Sequence, residues 1–187
     1  MSNARNLANF LGTSTTVPSG KIVTASLPTG SVLQVKSVTM TGNQTFAGTA
    51  FTDITDGTNP LSISITPTSS SSKFILTMNI SSSANNGGSR FGFRFMRDST
   101  AVGNGVTEGS RTPVSVQGLG TTSNNIDEKL TSVFLDSPAT TSAITYKVQG
   151  NVEQSGSNLI INESSTNTNS STVYRAPSSF TIMEIAG

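Results

Sequence analysis

Apolar and polar positions alternate along most of the chain beyond residue 30. In "LSISIT" the apolar side chains are Leu61, Ile63 and Ile65. In "RFGFRFMR" one face carries Phe91, Phe93 and Phe95, and the other carries Arg90, Arg94 and Met96. A period of two is typical of a strand with one buried face. The pattern predicts strands at 31–41, 61–66, 73–81, 90–97, 114–118, 129–137, 143–152, 158–162 and 178–187.

The segments between these stretches have the composition of turns. Examples are "DGTNP", "TPTSSSS", "SANNGGS" and "NESSTNTNSS", whose Gly, Pro, Asn and Ser residues supply turn dihedrals or local hydrogen bonds. Many short strands separated in this way predict an all-β fold, an antiparallel β-sandwich of the jelly-roll type. Within it, "TPTSSSS" is interpreted as a polar bend between two strands whose inner faces enter one core. Its serines are assigned no chemistry.

Residues 1–12 follow a different pattern. Leu7, Phe10 and Leu11 are spaced i, i+3 and i+4, which places them on one face of a short N-terminal helix. Such a short helix is marginal alone in water and needs a surface to pack on. That surface is either the chain's own domain or a neighbouring protein, and the pattern favours neither. Residues 13–30 have the composition of an extended arm, so we divide the chain into an anchor at 1–30 and a β-sandwich domain at 31–187.

Composition narrows the classes of partner. Charged residues make up 11% of the chain, against roughly 25% in ordinary soluble domains. The net charge is +1, which favours neither nucleic acid nor an anionic membrane as a partner. No apolar run approaches the length of a membrane span, and the N-terminus does not have the pattern of a secretory signal.

Residues suited to catalysis are scarce. The chain contains no histidine and no cysteine, so it lacks the commonest general base and any thiolate nucleophile or ligand. A polysaccharide-cleaving site would need two carboxylates in one groove, for which Asp53 and Asp127 are the candidates. The aspartates of "DITDG" are interpreted instead as Asx-turn residues ahead of a glycine bend. We therefore expect no enzyme activity, no cofactor and no metal.

Several stretches in order resemble a known group of proteins. They are "ARNLANFLG", "LPTGSVLQVKSV", "SISITPTSSSSKFIL", "FRFMRDSTAVGNG", "LDSPATTSAITYKVQ" and "SSFTIMEIAG". Together they resemble small virion proteins and fibre-like domains of tailed phages, especially phages of marine and cyanobacterial hosts. The resemblance covers most of residues 4–187. It implies a homotrimeric β-sandwich that is attached to the particle at its N-terminus and has no catalytic residues.

The resemblance also implies a location in the virion, after synthesis in the host cytoplasm without a signal peptide. In one respect the chain departs from a typical fibre, which has a long shaft or coiled coil before its terminal domain. Here only residues 1–30 precede the first predicted strand. This favours a short appendage or a decoration protein over a long fibre.

Three functions follow, in order of preference. The first is a virion structural protein in which Leu7, Phe10 and Leu11 bury against a capsid, portal or tail protein. The second is a receptor-binding module for a host-surface glycan or protein, because rigid sandwiches present variable loops at their ends. The third is a polysaccharide depolymerase. The candidate receptor residues are Asn85, Asn86, Asn104, Glu108, Asn167 and Asn169.

Overall fold

Alternating apolar residues form two antiparallel sheets that pack face to face. A computed structural model describes residues 27–120 and 127–187, and no helix, hence none that could cross a membrane, occurs among them. The short helix predicted within residues 1–12 lies outside the described residues. The strands are β1 (Val32–Met40), β2 (Gln44–Ala47), β3 (Thr52–Asp53), β4 (Ser62–Ile65), β5 (Lys73–Ala84), β6 (Arg90–Arg97), β7 (Thr100–Val102), β8 (Val116–Leu119), β9 (Glu128–Asp136), β10 (Ile144–Val152), β11 (Asn158–Ile161) and β12 (Ser178–Ile185).

The strand order is that of a jelly roll. In the first sheet β1, β12, β5 and β9 lie side by side, and in the second sheet the order is β4, β10, β6 and β8. The short strands β2 and β11 continue the first sheet beyond β1 and β12. The short strands β3 and β7 complete the edges formed by β4 and β8. Two four-stranded layers with this winding define the jelly-roll class, so the predicted fold class is confirmed.

The inner faces predicted from the period of two form the core. Phe74, Leu76, Met78 and Ile80 of β5 are completely buried. They face the second sheet, where the three phenylalanines of β6 are also buried. Burial of apolar area is the main favourable term in folding, at roughly 25 cal/mol for each Å². The alternation seen in the sequence therefore identified the surface that stabilises the sandwich.

The bend at 66–72 carries the chain from β4 of the second sheet to β5 of the first, as predicted. Its polar residues also have a partner that the sequence did not indicate. The backbone N and the hydroxyl of Thr68 both donate to Glu184 Oε1 at 2.7 Å, and Gln34 Nε2 donates to Oε2 at 2.5 Å. Glu184 is completely buried. Burial raises the pKa of Glu184, but the hydrogen bonds to its carboxylate outweigh this effect and hold the pKa below its ordinary value.

The pattern analysis missed three strands, namely β2, β3 and β7. Each has only two to four residues, which is too short for a period of two to stand out from the surrounding turn residues. Each forms because a strand beside it offers unpaired backbone groups: β11 for β2, β10 for β3 and β6 for β7. Their existence depends on tertiary pairing.

The chain enters and leaves the described sandwich at the same end. Gly30 N donates to Ala186 O at 2.8 Å, which fastens the start of β1 to the end of β12. We call this end the lower pole. From it β5 runs over 12 residues, or about 40 Å at strand spacing, to the upper pole, which is formed by loops 85–89 and 153–157.

Candidate functional site

Asn85 and Asn86 lie at the upper pole. Asn85 Oδ1 accepts a hydrogen bond from Asn158 N at 2.7 Å, so this side chain fixes the start of β11. The hydroxyl of Ser89 donates to Gln154 Oε1 at 2.9 Å, and Asn86 Nδ2 donates to the same oxygen at 3.5 Å. These bonds hold loops 85–89 and 153–157 together as one polar surface.

Asn104 and Glu108 lie on loop 103–115, between β7 and β8. Because these two strands pair with adjoining parts of β6, the loop begins and ends partway along the edge of the second sheet. Asn104 Oδ1 accepts a hydrogen bond from the Ser115 hydroxyl at 2.9 Å. Glu108 and Arg111 form an exposed ion pair at 2.8 Å, an interaction of little energetic weight at such exposure.

Asn167 and Asn169 lie on loop 162–177, between β11 and β12. This loop leaves the first sheet partway along its length, because both strands pair with β5. Arg175 donates to Asn167 Oδ1 at 3.2 Å and also pairs with the carboxylate of Glu163. Asn169 is exposed.

The predicted receptor residues therefore occupy three different places. Asn85 and Asn86 follow the end of β5, whereas the other two loops leave the sandwich from the side, one from each sheet. Their role in binding stays a prediction. The predicted docking residues Leu7, Phe10 and Leu11 lie outside the described residues.

The two candidate catalytic carboxylates are attached to different sheets. Asp53, on β3 of the second sheet, pairs with Lys147 at 2.8 Å and accepts a hydrogen bond from Gln149 at 2.7 Å. Burial raises the pKa of Asp53, but these two partners outweigh it and lower the pKa. Asp127, at the start of β9 in the first sheet, accepts a hydrogen bond from the Ser81 hydroxyl. The two carboxylates are thus held by different partners on different sheets.

Both aspartates of "DITDG" are expected to be Asx-turn residues, and the structure agrees for one of them. Asp56 accepts hydrogen bonds from the backbone N of Asn59 at 2.6 Å and of Thr58 at 3.0 Å, and these bonds lower its pKa. This is the predicted Asx turn. For Asp53 the prediction is wrong, because its side chain is held by Lys147 and Gln149 across β10. In residues 27–120 and 127–187 no three Asp or Glu side chains cluster as metal ligands would.

A buried polar node, which the sequence analysis missed, lies where β1 passes into β2 and where β12 begins. Asn162 Nδ2 donates to Met40 O at 2.8 Å and to Gly42 O at 2.7 Å, and Asn162 Oδ1 accepts from the Ser178 hydroxyl at 2.6 Å. Asn162 has φ 62°, a conformation that Asn tolerates better than most residues. An Asn as the last residue of a predicted strand is a weak signal, since turns use the same residue.

A second missed group lies beside this node. Glu163 is 4% exposed, and its carboxylate accepts hydrogen bonds from Asn43 and Arg175. Its backbone oxygen accepts one from the Ser83 hydroxyl at 2.9 Å. Asn43, Ser83 and Arg175 come from different parts of the chain. No local sequence motif could therefore indicate the group. Its role is to hold loop 162–177 on the first sheet.

A third buried group links the two sheets near the lower pole. Tyr146 is completely buried, and its hydroxyl donates to Asp136 Oδ2 at 2.6 Å. Arg97 Nη1 donates to both oxygens of the same carboxylate at 2.9 Å. Burial raises the pKa of Tyr146, and Asp136 raises it further, so the phenol stays protonated as a donor. This group is structural, since its members satisfy one another.

The outer face of the first sheet carries a row of four apolar side chains, which we call the apolar row. Val35 lies opposite Met183, Met183 opposite Ile75, and Ile75 opposite Leu135, so each long strand of the sheet contributes one residue. The neighbours of Ile75, Met183 and Leu135 along their strands face the core, so these three side chains point outward, and Val35 lies opposite Met183 on the same face. Val35 is 56% exposed and Leu135 is 52% exposed. With strands about 4.8 Å apart, the row spans about 15 Å.

The surroundings of the apolar row are nearly free of charge. Lys73 and Lys129 stand at opposite ends of the same face, and Val133, 64% exposed, extends the row along β9. Loop 162–177 reaches the upper part of the face, where Lys129 Nζ donates to Pro177 O. The lower part is left open by residues 27–120 and 127–187. Exposed apolar patches of this kind are typical of interaction sites.

By its own strand order the chain belongs to the jelly-roll class of β-sandwiches. No protein-family model matches it, and no curated protein matches it. Among solved structures it is similar to infectious bursal disease virus, Gx strain, with TM-score 0.44, 14% identity and coverage of 82% of this chain and 37% of the other. It is also similar to the VP2 subviral particle of infectious bursal disease virus, with TM-score 0.43, 11% identity and coverage of 82% and 38%. The chain thus spans well under half the length of these neighbours, and a likeness of this size carries no statement about function.

Proposed function

We propose that this chain is a structural component of a virus particle, a short appendage or decoration protein of a tailed phage that attaches through its N-terminal segment. The observation that carries the proposal is that the N-terminal segment and the loops of the upper pole lie at opposite ends of the sandwich. Residues 1–26 join it at the lower pole, where Gly30 bonds to Ala186. Loops 85–89 and 153–157 lie at the opposite end, about 40 Å away at strand spacing. Attachment at one pole leaves the other pole facing outward.

Two further observations support a structural role over an enzymatic one. The sequence stretches that resemble tailed-phage virion proteins, taken in their order along the chain, come from both the anchor and the sandwich. The carboxylates that a depolymerase would use, Asp53 and Asp127, are instead engaged with Lys147, Gln149 and Ser81. These bonds explain both aspartates as parts of the sheets that carry them.

The proposed partners are a capsid, portal or tail protein and two further copies of this chain. Leu7, Phe10 and Leu11 would bury against the particle protein. Full burial of a large apolar side chain contributes about 1.5–3 kcal/mol, so three of them can stabilise a helix that is marginal alone. A trimer would place three anchors on one site, which strengthens attachment by multivalency.

Particle incorporation of an anchor variant tests the proposal. Leu7→Ser, Phe10→Ser and Leu11→Ser are combined in one protein, and particles assembled with it are purified and quantified by mass spectrometry. We expect the variant to be missing from particles while the isolated protein keeps the circular dichroism of the wild type. The matched control combines Asn3→Ser, Asn6→Ser and Asn9→Ser in the same segment and should be incorporated normally. Incorporation of the apolar triple variant at the wild-type copy number would overturn the proposal.

A second candidate function is recognition of a host-surface glycan or protein at the upper pole. The observation that favours it is the hydrogen bonding among Asn86, Ser89 and Gln154, which fixes the loops before any ligand binds. Pre-organised polar groups lower the entropic cost of binding. Purified protein should then block adsorption of the phage to its host, and Asn86→Ala should weaken the block. Asn79→Ala, on the outer face of the first sheet, is the matched control. An unaltered block by Asn86→Ala would remove the upper pole as the site.

A further inference from the structure

We propose that the apolar row is the seat of the chain's own Leu7, Phe10 and Leu11 in the free protein. The inference goes beyond the proposed function, because it concerns the protein before it meets a particle. It names one occupant for the open part of the first sheet, the N-terminal segment of the same copy. A particle protein would then compete with the row for these three side chains.

The size of the row suits a short segment and does not suit a second sandwich. The open part covers four strands at about 4.8 Å and roughly five residues at 3.3 Å, or about 300 Å². A stable interface between two proteins buries about 800 Å² on each partner. A helix about 10 Å wide that presents three apolar side chains along one face covers most of a row 15 Å long. The area therefore favours a peptide-sized occupant.

The place where the N-terminal segment joins the sandwich favours the same copy. Gly30 is bonded to Ala186, three residues beyond Met183 of the row, so the segment begins about 10 Å from the row at strand spacing. Residues 12–26 connect that point to Leu11. A connection of this length could extend to about 50 Å, so it is long enough to bring Leu11 to the row. Because it belongs to the same chain, the segment has an effective concentration at the row on the order of millimolar, above that of free copies.

The charges on the N-terminal segment and on the open part of the first sheet indicate that apolar contact would hold the two together. The lower, open part of the face carries Lys73, and Asp127 lies at the upper end beside Ser81 and Lys129. Residues 1–26 contain Arg5 and Lys21 but no carboxylate. The segment therefore has no ion-pair partner on the open part of the face, and binding there should persist when salt is raised. Burial of Leu135 under the segment would also remove exposed apolar surface of the edge strand β9, which otherwise invites association between copies.

Thiol reactivity of single-cysteine variants tests the inference, because the native chain has no cysteine. Leu135→Cys places a thiol at the end of the row, and Val106→Cys places one on loop 103–115, where the side chain is 90% exposed. In the full chain we expect Leu135→Cys to react with a maleimide reagent more slowly than in a chain that also carries Leu7→Ser, Phe10→Ser and Leu11→Ser, by about tenfold or more. Val106→Cys should react equally in both, and the Asn3, Asn6 and Asn9 to Ser control should leave the protection of Leu135→Cys intact.

Each outcome of the thiol-reactivity experiment either supports or overturns the inference. Equal reactivity of Leu135→Cys with and without the apolar triple substitution overturns the inference, provided that circular dichroism shows both proteins folded. Protection that disappears on dilution by about a hundredfold assigns the row to another copy and overturns the choice of occupant. The experiment uses no particle, so its failure is separate from a failure of incorporation. Protection with normal incorporation of the triple variant would keep this inference and overturn the proposed function.

Discussion

The hydroxyl of Ser178 and the side-chain oxygen of Asn162 are joined by a buried hydrogen bond of 2.6 Å. Ser178 begins β12 and Asn162 follows β11, so the bond closes the gap that loop 162–177 opens in the first sheet. The amide of Asn162 continues across the gap to the backbone of Met40. These side-chain hydrogen bonds thus take the place of the backbone hydrogen bonds that are missing between the strand pair β1–β12 and the strand pair β2–β11.

Replacing Asn162 should destabilise the sandwich. Asn162→Ala removes the hydrogen bonds to the buried oxygen of Met40 and the part-buried oxygen of Gly42, and it leaves Ala at φ 62°. We expect the free energy of unfolding to fall by about 2–4 kcal/mol, measured by urea denaturation. Asn162→Gly accepts the same backbone conformation, so it should lose only the part due to the amide. Asn169→Ala on the exposed loop should change stability by less than about 0.5 kcal/mol, and an equally small effect at Asn162 would show that these hydrogen bonds are not needed.

The Tyr146 hydroxyl should contribute to stability through Asp136. Tyr146→Phe keeps the ring in the core but removes the donor at 2.6 Å from a buried carboxylate. We expect a loss of about 1–3 kcal/mol in the free energy of unfolding. Tyr174→Phe makes the same chemical change on a side chain that is 76% exposed and should have no measurable effect. Equal stabilities of the two variants would contradict the role given to this bond.

Glu184 should make stability depend on acid pH. Its folded-state pKa lies below the ordinary value of 4.5, so its stabilising contribution is present above the unfolded-state pKa and is lost as pH falls through the folded-state pKa. Glu184→Gln should therefore be less stable than the wild type near neutral pH, because the Gln amide opposes the donors from Thr68 and Gln34. The difference should shrink as the pH is lowered below about 4. Denaturation curves of both proteins across this range measure it, and a difference independent of pH would contradict the assignment.

The approach of Gly103 to Phe134 should not tolerate a side chain. A Cβ at Gly103 would lie 2.5 Å from the ring of Phe134, and the residue has φ 64°. Gly109→Ala introduces a comparable backbone strain at φ 57° with nothing within 4 Å. Gly103→Ala should therefore be less stable than Gly109→Ala by about 1–3 kcal/mol, the usual cost of overpacking. Melting of the two variants side by side measures this difference, and equal midpoints would mean that Phe134 moves freely.

Much of the fold could be predicted because the buried face of each long strand repeats every second residue. Phe74, Leu76 and Met78 in β5 show this plainly. The order of the strands could not be predicted, since the period says which face is buried but not which strand lies alongside. The same limit applies to the polar groups: Glu184 and Thr68 are far apart in the chain and meet only once β12 lies beside β5.

The apolar row had a sequence signal that could be detected but not interpreted. Ile75 in "KFILT", Leu135 in "VFLDS" and Met183 in "TIMEI" each break the alternation with an extra apolar residue. Such a break has many causes in a single strand. It becomes a surface only when the pairing register aligns the three residues with Val35. Register depends on contacts distant in sequence, so the row could not be assembled from the pattern alone.

Two backbone hydrogen bonds join the start of β1 to the end of β12: Gly30 N donates to Ala186 O, and Ala186 N donates to Ser31 O at 2.8 Å. The two ends of the sandwich domain are therefore direct neighbours. A short peptide could join Gly187 to Ser31, and new ends could be opened in loop 153–157 at the far pole, because neighbouring termini permit such circular permutation. The same geometry governs fusions. A domain appended after Gly187 would emerge beside the start of β1, where the Ser71 hydroxyl donates to Gly187 O at 3.3 Å. A domain inserted into loop 153–157 would stand at the opposite end of the sandwich.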